Sequence, residues 1–223
     1  MPGDRDPVVS FVVPAREETA YLPSTLSSIR DQTTDREYET VVVVGGRRDG
    51  TAEIAREHGA RVYRQAGRGI GDARHLGAEH ACGDWLAFVD ADTALDPAYL
   101  DAMLAHVERE GLDAASSRCR MTGPRRAKLM EWTITHLLPR LDRPILPGFN
   151  FFVRAETYRA AGGFPNVPNE DTAFSRRLGR TAETGYCPAV LVESSGRRVA
   201  TAGLTRTLYH YLRLDWGRVR ADY

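Results

Sequence analysis

Short apolar runs alternate with amphipathic stretches through the first half of the chain. The runs are long enough for buried strands, and between them apolar residues recur at helical spacing, as at Leu22, Leu26 and Ile29. The predicted strands are residues 8–13, 38–44, 61–64 and 85–89, and the predicted helices start after Glu18 and cover 51–58 and 72–81. Strand followed by helix, repeated at least three times, predicts an α/β fold with a mainly parallel central sheet flanked by helices.

The pattern of the second half is less regular. It predicts a helix from Pro97 to about residue 108, strands at 113–117 and 149–153, a loop at 141–148, and helices at 128–138, 156–161 and 170–178. The apolar residues of 204–216 fall on one stripe, which predicts a C-terminal amphipathic helix at 201–223. No repeat or linker interrupts the pattern, and we expect one domain over residues 1–223.

Composition narrows the setting of the protein. The chain has 30 basic and 30 acidic residues, so no overall field favours a nucleic-acid partner. Its three cysteines are widely spaced and form no C-x-x-C pair, which argues against a disulfide framework or a zinc site and favours a reducing, cytoplasmic location. The N-terminal sequence has no signal-like pattern, and no run approaches the roughly 18 apolar residues that span a bilayer. We expect a soluble protein, attached at most to the inner face of a membrane.

Acidic residues follow the predicted strands at the points where those strands end. PAREE follows the first, GGRRDGT the second, and the D-x-D motif DAD (Asp90 to Asp92) the fourth. The carboxyl ends of parallel strands share one edge of a sheet, where α/β proteins hold ligands. Two carboxylates one residue apart can hold Mg²⁺ or Mn²⁺, and such an ion clamps a substrate phosphate. A solvated turn is the alternative reading of so short a motif.

Four motifs in series resemble the inverting family 2 glycosyltransferases of the GT-A fold. They are VVPAREE, DGT, GRGIGDARHLGAEHACGDWLAFVDAD and GGFPNVPNED, and the resemblance covers residues 8–198. It implies a Rossmann-like half that binds a nucleotide sugar, at about 8–95, and a catalytic half that binds the acceptor, at about 96–200. It further implies transfer, with inversion and with Mg²⁺ or Mn²⁺, from a nucleoside diphosphate sugar to a hydroxyl of a sugar, lipid or small-molecule acceptor.

The resemblance also assigns donor-side residues. The residues that match nucleotide-sugar contacts are Pro14, Ala15, Arg16, Glu17, Gly46, Asp49, Arg74, Asp90, Ala91, Asp92, Arg197 and Arg198. Asp92 matches the metal ligand, and a bound cation would stabilise the charge that develops on the departing diphosphate. Several of these positions have structural alternatives. Asp49 could cap a helix, Arg74 could be an exposed helix arginine, and Arg197 and Arg198 could be an exposed basic pair.

Asp171 matches the family's general base, which takes the proton of the acceptor hydroxyl. Asn150, Asn169 and Glu170 are assigned to the acceptor side by the same resemblance. The structural alternative for Asp171 is an acid that stabilises the N-terminus of its helix through the helix dipole.

One departure from the family pattern affects the donor. Val44 and Gly45 stand where the second strand usually ends in one or two acids, which normally contact the base or ribose. This predicts weak discrimination between uridine and guanosine diphosphates. Two other functions stay open: a nucleotidyltransferase, and a degenerate homologue that binds nucleotide without turnover. The C-terminal helix either packs on its own domain or contacts an anionic membrane surface.

Overall fold

The computed structural model describes residues 6–67, 69–123, 125–140 and 143–196, and one eight-stranded sheet runs through them in the order β3-β2-β1-β4-β7-β6-β8-β5. The strands are β1 (Val9–Arg16), β2 (Tyr38–Gly45), β3 (Arg61–Arg64), β4 (Trp85–Val89), β5 (Thr93–Leu95), β6 (Ala114–Thr122), β7 (Asn150–Arg154) and β8 (Thr184–Ser195). The helices are α1 (Leu22–Arg30), α2 (Thr51–Glu57), α3 (Ile70–Glu79), α4 (Tyr99–Glu110), α5 (Arg125–Trp132), α6 (Ala155–Ala160) and α7 (Glu170–Leu178).

The first four strands form a parallel unit with the order β3-β2-β1-β4. The predictions for β3, β4 and α7 are confirmed at their exact bounds, and the predicted mainly parallel α/β sheet is confirmed as well. Strand order reverses between β1 and β4, since β2 and β3 lie to one side of β1 and β4 lies to the other. Ligands of open α/β sheets bind at such a point, beyond the carboxyl ends of the strands.

The predicted end of the first strand, at residue 13 before Pro14, is wrong, because β1 continues to Arg16. Pro14 lies opposite Val43 of β2, while the pairing of β1 with β4 stops at Val12. A proline supplies no N–H to a strand ladder. It is tolerated here because the β4 side of β1 needs no hydrogen bond beyond Val12.

The second half of the sheet is mixed. β7 is antiparallel to both β4 and β6, β8 is parallel to β6, and β5 is antiparallel to β8. The sequence pattern predicted neither β5 nor β8, and it ended β6 five residues too early. β8 was not predicted because its side chains alternate between buried and exposed over only part of its length. Three consecutive residues of β8 are exposed, and the register of β8 against β6 shifts after Ser117. Such an irregular strand lacks the period of two on which strand prediction depends.

The single helix predicted at 128–138 is also wrong. α5 ends at Trp132 and is followed by a π-helical turn at Thr133–Leu137 and a 3-10 turn at Leu138–Arg140. The hydroxyl of Thr133 donates to the carbonyl of Leu129, a side-chain bond that competes with regular helix hydrogen bonding. Pro139 adds a residue without an N–H, so the regular α-helix does not continue through this segment.

Two buried clusters cover the two faces of the sheet. Alternate residues of β1 point to opposite faces, so Phe11 and Val13 pack with α1, α2 and α4, while Val12 packs with α3, α6 and α7. The second cluster contains the aromatic rings that lie behind the candidate site, including Phe88, Phe164 and Phe174.

The predicted C-terminal amphipathic helix at 201–223 lies outside the described residues, as do Arg197 and Arg198. Within the described part of the chain, no helix has the length and apolar character needed to cross a membrane.

Candidate functional site

The DAD loop follows β4 directly and is fixed from both sides. The Thr25 hydroxyl, on α1, donates to the Ala91 carbonyl at 2.9 Å, and the Ser195 backbone N–H donates to the Asp92 carbonyl at 3.2 Å. Asp90 is buried, whereas Asp92 is half-buried. The loop therefore holds one acid inside the protein and leaves the other accessible from the edge of the sheet.

Arg74 connects the DAD loop with the start of α7. Its side chain comes from α3 and is only 2% exposed, so the alternative of an exposed helix arginine is wrong. The Nη2 atom lies 2.6 Å from Asp90 Oδ1, and Nη1 forms a second buried ion pair with Glu170. One guanidinium thus joins an acid of the first half of the chain to an acid of the second half.

The surroundings of the Arg74 guanidinium are closely packed. Gly148 lies against it, and a Cβ atom at this position would be 2.5 Å from Nη1 and 2.6 Å from Cζ. The Phe164 ring lies over the guanidinium. The distance between the ring centroid and Arg74 Cζ is 5.4 Å, which is typical of a cation–π contact. Position 148 therefore requires glycine because the loop backbone passes directly over a buried cation.

Three carboxylates share this single cation. Burial disfavours the charge on Arg74, but the charges of Asp90, Glu170 and Asp171 outweigh it and raise the Arg74 pKa. For Glu170 the balance is reversed: burial raises its pKa, Arg74 opposes the rise, and Asp171 adds to it. The cluster consequently keeps a permanently charged arginine while Glu170 retains a proton more readily than an ordinary glutamate.

Asp171 lies in the first turn of α7, next to this cluster, and is half-buried. Its Oδ2 accepts the Gly148 N–H at 3.1 Å, and its Oδ1 accepts the Thr172 N–H at 2.7 Å. Asn169 precedes the helix with a φ of 54°, a left-handed conformation that asparagine tolerates better than most residues. The carboxylate is oriented by two backbone donors and still has solvent access.

Asp92 is the residue that the family resemblance assigns to a metal ion. Its Oδ2 accepts the Ser195 hydroxyl at 2.7 Å. Within residues 6–67, 69–123, 125–140 and 143–196, no three His, Cys, Asp or Glu side chains are arranged as a metal cage. Mg²⁺ commonly binds through one or two carboxylates, substrate phosphates and water. A single half-buried carboxylate at the edge of the sheet fits that mode of binding.

The ends of β1, β2 and β3 form the other part of the edge. Pro14 and Ala15 are buried in β1, and Arg16 and Glu17 are exposed. A cavity of about 340 Å³ is lined here by Arg16, Gly46, Gln65, Ala66 and Gly67. Asp49 lies nearby in the chain, and its Oδ1 accepts the Thr51 N–H at 3.1 Å, but the cap position of α2 is Gly50 and no side chain caps this helix.

The structure brings Arg74, Asp90, Glu170 and Asp171 together, but it places Asn150 away from solvent. Asn150 is 0% exposed, and its Nδ2 donates to the carbonyl and the hydroxyl of Ser117. The Asn150 carboxamide holds β7 against β6, so we do not include Asn150 in the proposed acceptor site.

Sequence reasoning missed Gln65, Gly148 and Ser195. Each is a common residue type in a loop or at a strand end, and only the folded backbone brings it to the site. The sequence contained one indirect signal, which concerns Gln65. The absence of an acid at Val44 and Gly45 implied that another residue would have to contact the donor base.

The sheet order and the acid-bearing edge define the class of fold. S. aureus TarS, in the structure of residues 1–349, superposes with a TM-score of 0.70 and 18% identity, covering 84% of this chain and 60% of that 1–349 chain. The mannosyltransferase PcManGT from Pyrobaculum calidifontis, in complex with GDP-Man and Mn²⁺, gives a TM-score of 0.66 at 21% identity, covering 86% of this chain and 57% of that one. These likenesses identify the GT-A fold, as the sequence predicted.

Residues 10–160 match the model of glycosyl transferase family 2, and the chain belongs to this family. The glycosyltransferase AglE of Haloferax volcanii is 26% identical over 194 residues, which are 81% of this chain and 63% of AglE. The 4,4'-diaponeurosporenoate glycosyltransferase of Staphylococcus haemolyticus is 34% identical over 116 residues, 48% of this chain and 30% of that protein. The chain therefore spans less than two thirds of the length of these relatives.

Proposed function

We propose that the protein transfers a sugar from a nucleoside diphosphate sugar to an acceptor hydroxyl, with inversion at the anomeric carbon. The observation that carries the proposal is the double ion pair of Arg74 with Asp90 and Glu170. Each partner is a close neighbour in the chain of an accessible acid, Asp92 or Asp171. The buried arginine therefore fixes a donor-side carboxylate and an acceptor-side carboxylate relative to each other.

On the donor side, the nucleoside diphosphate lies along the carboxyl ends of β1, β2 and β4. Arg16 and Glu17 are the exposed residues where β1 ends, and Gly46 follows β2. The related structures were obtained with UDP, UDP-GlcNAc or GDP-Man with Mn²⁺, which supports a donor of this class. Asp92 would hold Mg²⁺ or Mn²⁺, and the cation would stabilise the negative charge of the departing diphosphate.

On the acceptor side, Asp171 serves as the general base. The acceptor oxygen attacks the anomeric carbon, its proton passes to a carboxylate oxygen of Asp171, and the bond from carbon to the diphosphate oxygen breaks. The electron pair of that bond leaves with the nucleoside diphosphate. The Gly148 and Thr172 N–H groups hold the carboxylate in one orientation, so that it faces the attacking hydroxyl throughout the reaction. Asn169 and Glu170 flank the base on the acceptor side.

Asp171→Asn tests the role of the base directly. The asparagine keeps one oxygen for the Thr172 N–H but cannot take up the acceptor proton. Loss of a general base costs on the order of 10² to 10⁴ in rate. We therefore expect single-turnover transfer to fall by that factor, while the affinity for a nucleoside diphosphate with Mn²⁺, measured by calorimetry, stays within about threefold.

Thermal unfolding of the same variant is the control for a loss of stability. Such a loss is expected to be small but must be measured, because the NH₂ group of the asparagine faces the Gly148 N–H and cannot accept its hydrogen bond. A second control is Glu156→Gln, at an exposed position of α6. Full transfer activity in Asp171→Asn would exclude the base role and favour helix capping, since asparagine caps a helix about as well as aspartate.

A further inference from the structure

Gln65 follows β3 and lies beside the end of β2, where the family acid is absent. Its backbone N–H donates to the Val44 carbonyl at 3.0 Å, which continues the pairing of the two strands by one step. A Cβ atom on Gly45 would lie 3.0 Å from the Gln65 Oε1 atom. The carboxamide therefore occupies the space that a side chain at position 45 would fill.

The orientation of this carboxamide is fixed by two acceptors. Gln65 Nε2 donates to the Gly69 carbonyl at 2.8 Å and to Asp72 Oδ2 at 2.9 Å. Both partners only accept hydrogen bonds, so the nitrogen faces them and the oxygen faces the opposite side. No donor from the described residues reaches Oε1, and Gln65 lines the cavity of about 340 Å³.

We propose that Gln65 Oε1 reads the nucleobase of the donor in place of the missing acid. The proposal rests on the donor site proposed above and names the class of base. A lone acceptor in a fixed orientation pairs with a ring N–H, which uracil has at N3 and guanine at N1. Cytosine and adenine present an unprotonated ring nitrogen at the equivalent position, and two acceptors would face each other.

The chemistry of the acceptor also explains how a glutamine can replace an acid. A carboxylate and a carboxamide oxygen both accept a ring N–H, and the anchored Nε2 prevents the carboxamide from presenting its donor instead. Because uracil and guanine share the ring N–H, Gln65 separates these two bases from cytosine and adenine but does not separate them from each other. Leaving a polar group unpaired is what rejects the wrong ligand.

The test is calorimetry of the full chain with UDP, GDP, CDP and ADP in the presence of Mn²⁺. We expect the native protein to bind UDP and GDP at least about tenfold more tightly than CDP and ADP, a difference of about 1.4 kcal/mol. Gln65→Ala removes the acceptor and should bring the four affinities to within about threefold. Adding Gly45→Asp to this variant returns an acceptor from β2 and should restore the preference for UDP and GDP.

A third variant checks the result without altering Gln65. Gly45→Ala places a methyl group 3.0 Å from Oε1, which must shift by a few tenths of an ångström, and we expect a smaller loss of preference than in Gln65→Ala. An unchanged preference in both Gln65→Ala and Gly45→Ala would overturn the role of Gln65 but leave the donor site standing. Equal binding of all four nucleotides to the native protein would likewise overturn the role of Gln65 and leave the donor site standing. A failure of all four to bind would overturn the donor site as well.

Discussion

Asp90 and Asp92 are separated by one residue, yet their carboxylates have different partners. Asp90 is buried in an ion pair with Arg74, while Asp92 is half-buried and accepts the Ser195 hydroxyl. An acid already committed to a buried arginine is poorly suited to hold a metal, because the cation would compete with the guanidinium. We therefore expect metal binding to depend on Asp92.

Asp92→Asn should remove the effect of metal on nucleotide affinity. Asparagine keeps an oxygen for Ser195 but lacks the negative charge that a divalent cation prefers. In the native protein, adding Mn²⁺ should tighten UDP or GDP binding, and in Asp92→Asn the affinity should be the same with Mn²⁺ and with EDTA. Calorimetry under the two conditions measures this difference. If Mn²⁺ still tightens binding in the variant by the native factor, the cation is held elsewhere.

The helix α3 carries Arg74 and packs directly on the sheet. A Cβ atom on Gly77 would overlap Val12 Cγ1 of β1 and lie 3.1 Å from Val43 Cγ2 of β2. The missing side chain thus lets α3 approach both strands closely, and this approach brings Arg74 within reach of Asp90.

Gly77→Ala should therefore destabilise the protein although alanine is the better helix former. Overpacking a well-packed contact costs about 1–3 kcal/mol, which exceeds the roughly 1 kcal/mol gained from helix propensity. Chemical denaturation should show a lower midpoint, whereas Glu79→Ala, at an exposed position of the same helix, should change stability by less than about 0.5 kcal/mol. A Gly77→Ala midpoint at or above the native value would mean that α3 has room to move away from the sheet.

How far the sequence predicts each element depends on how local its signals are. The segments that form β3, β4 and α7 have clear ends in the sequence, and their bounds were predicted exactly. The segment after Trp132 carries the same helical pattern, but side-chain bonding and Pro139 break it into π and 3-10 turns. β5 and β8 pair with each other across about a hundred residues, and no local pattern predicts such a pairing.

The candidate site divides in the same way. Asp90 and Asp92 were predicted from the strand end that precedes them, and Asp171 was predicted from the resemblance of its motif to the family. The commitment of Arg74 to two acids, the close approach of Gly148 and the position of Gln65 over Gly45 arise from contacts between distant segments. These contacts need coordinates, because even a motif that contains both partners, as one does for Arg74 and Asp90, does not show that their side chains meet.

At the scale of the molecule, the ion pairs of Arg74 connect the two halves of the sheet. Arg74 belongs to α3 of the parallel unit, and through Glu170 it holds α7, which packs in the second cluster with β7 and α6. The pair of Arg74 and Glu170 is buried, and removing one partner of a buried ion pair leaves an uncompensated charge. The protonation state of Glu170 should therefore affect the stability of the whole fold.

The sign of this effect follows from the direction of the Glu170 pKa. Burial raises that pKa in the folded state, so between the unfolded and folded values the native protein binds the proton more tightly than the unfolded chain does. The stabilisation from the protonated form is complete below the unfolded pKa, about 4.3. It is lost as the pH rises through the raised folded pKa.

Glu170→Gln removes this titration while keeping a side chain of similar shape and an oxygen for Arg74. The unfolding free energy of the native protein, minus that of the variant, should therefore decrease as the pH rises from about 4 to about 8, and the change should fall between the unfolded pKa and the raised folded pKa. Urea denaturation across this range measures the difference, with Glu156→Gln as the matched change of an exposed glutamate. The opposite slope, a native protein that gains stability over the variant as the pH rises, would mean that attraction to Arg74 outweighs burial and that Glu170 is held as a carboxylate.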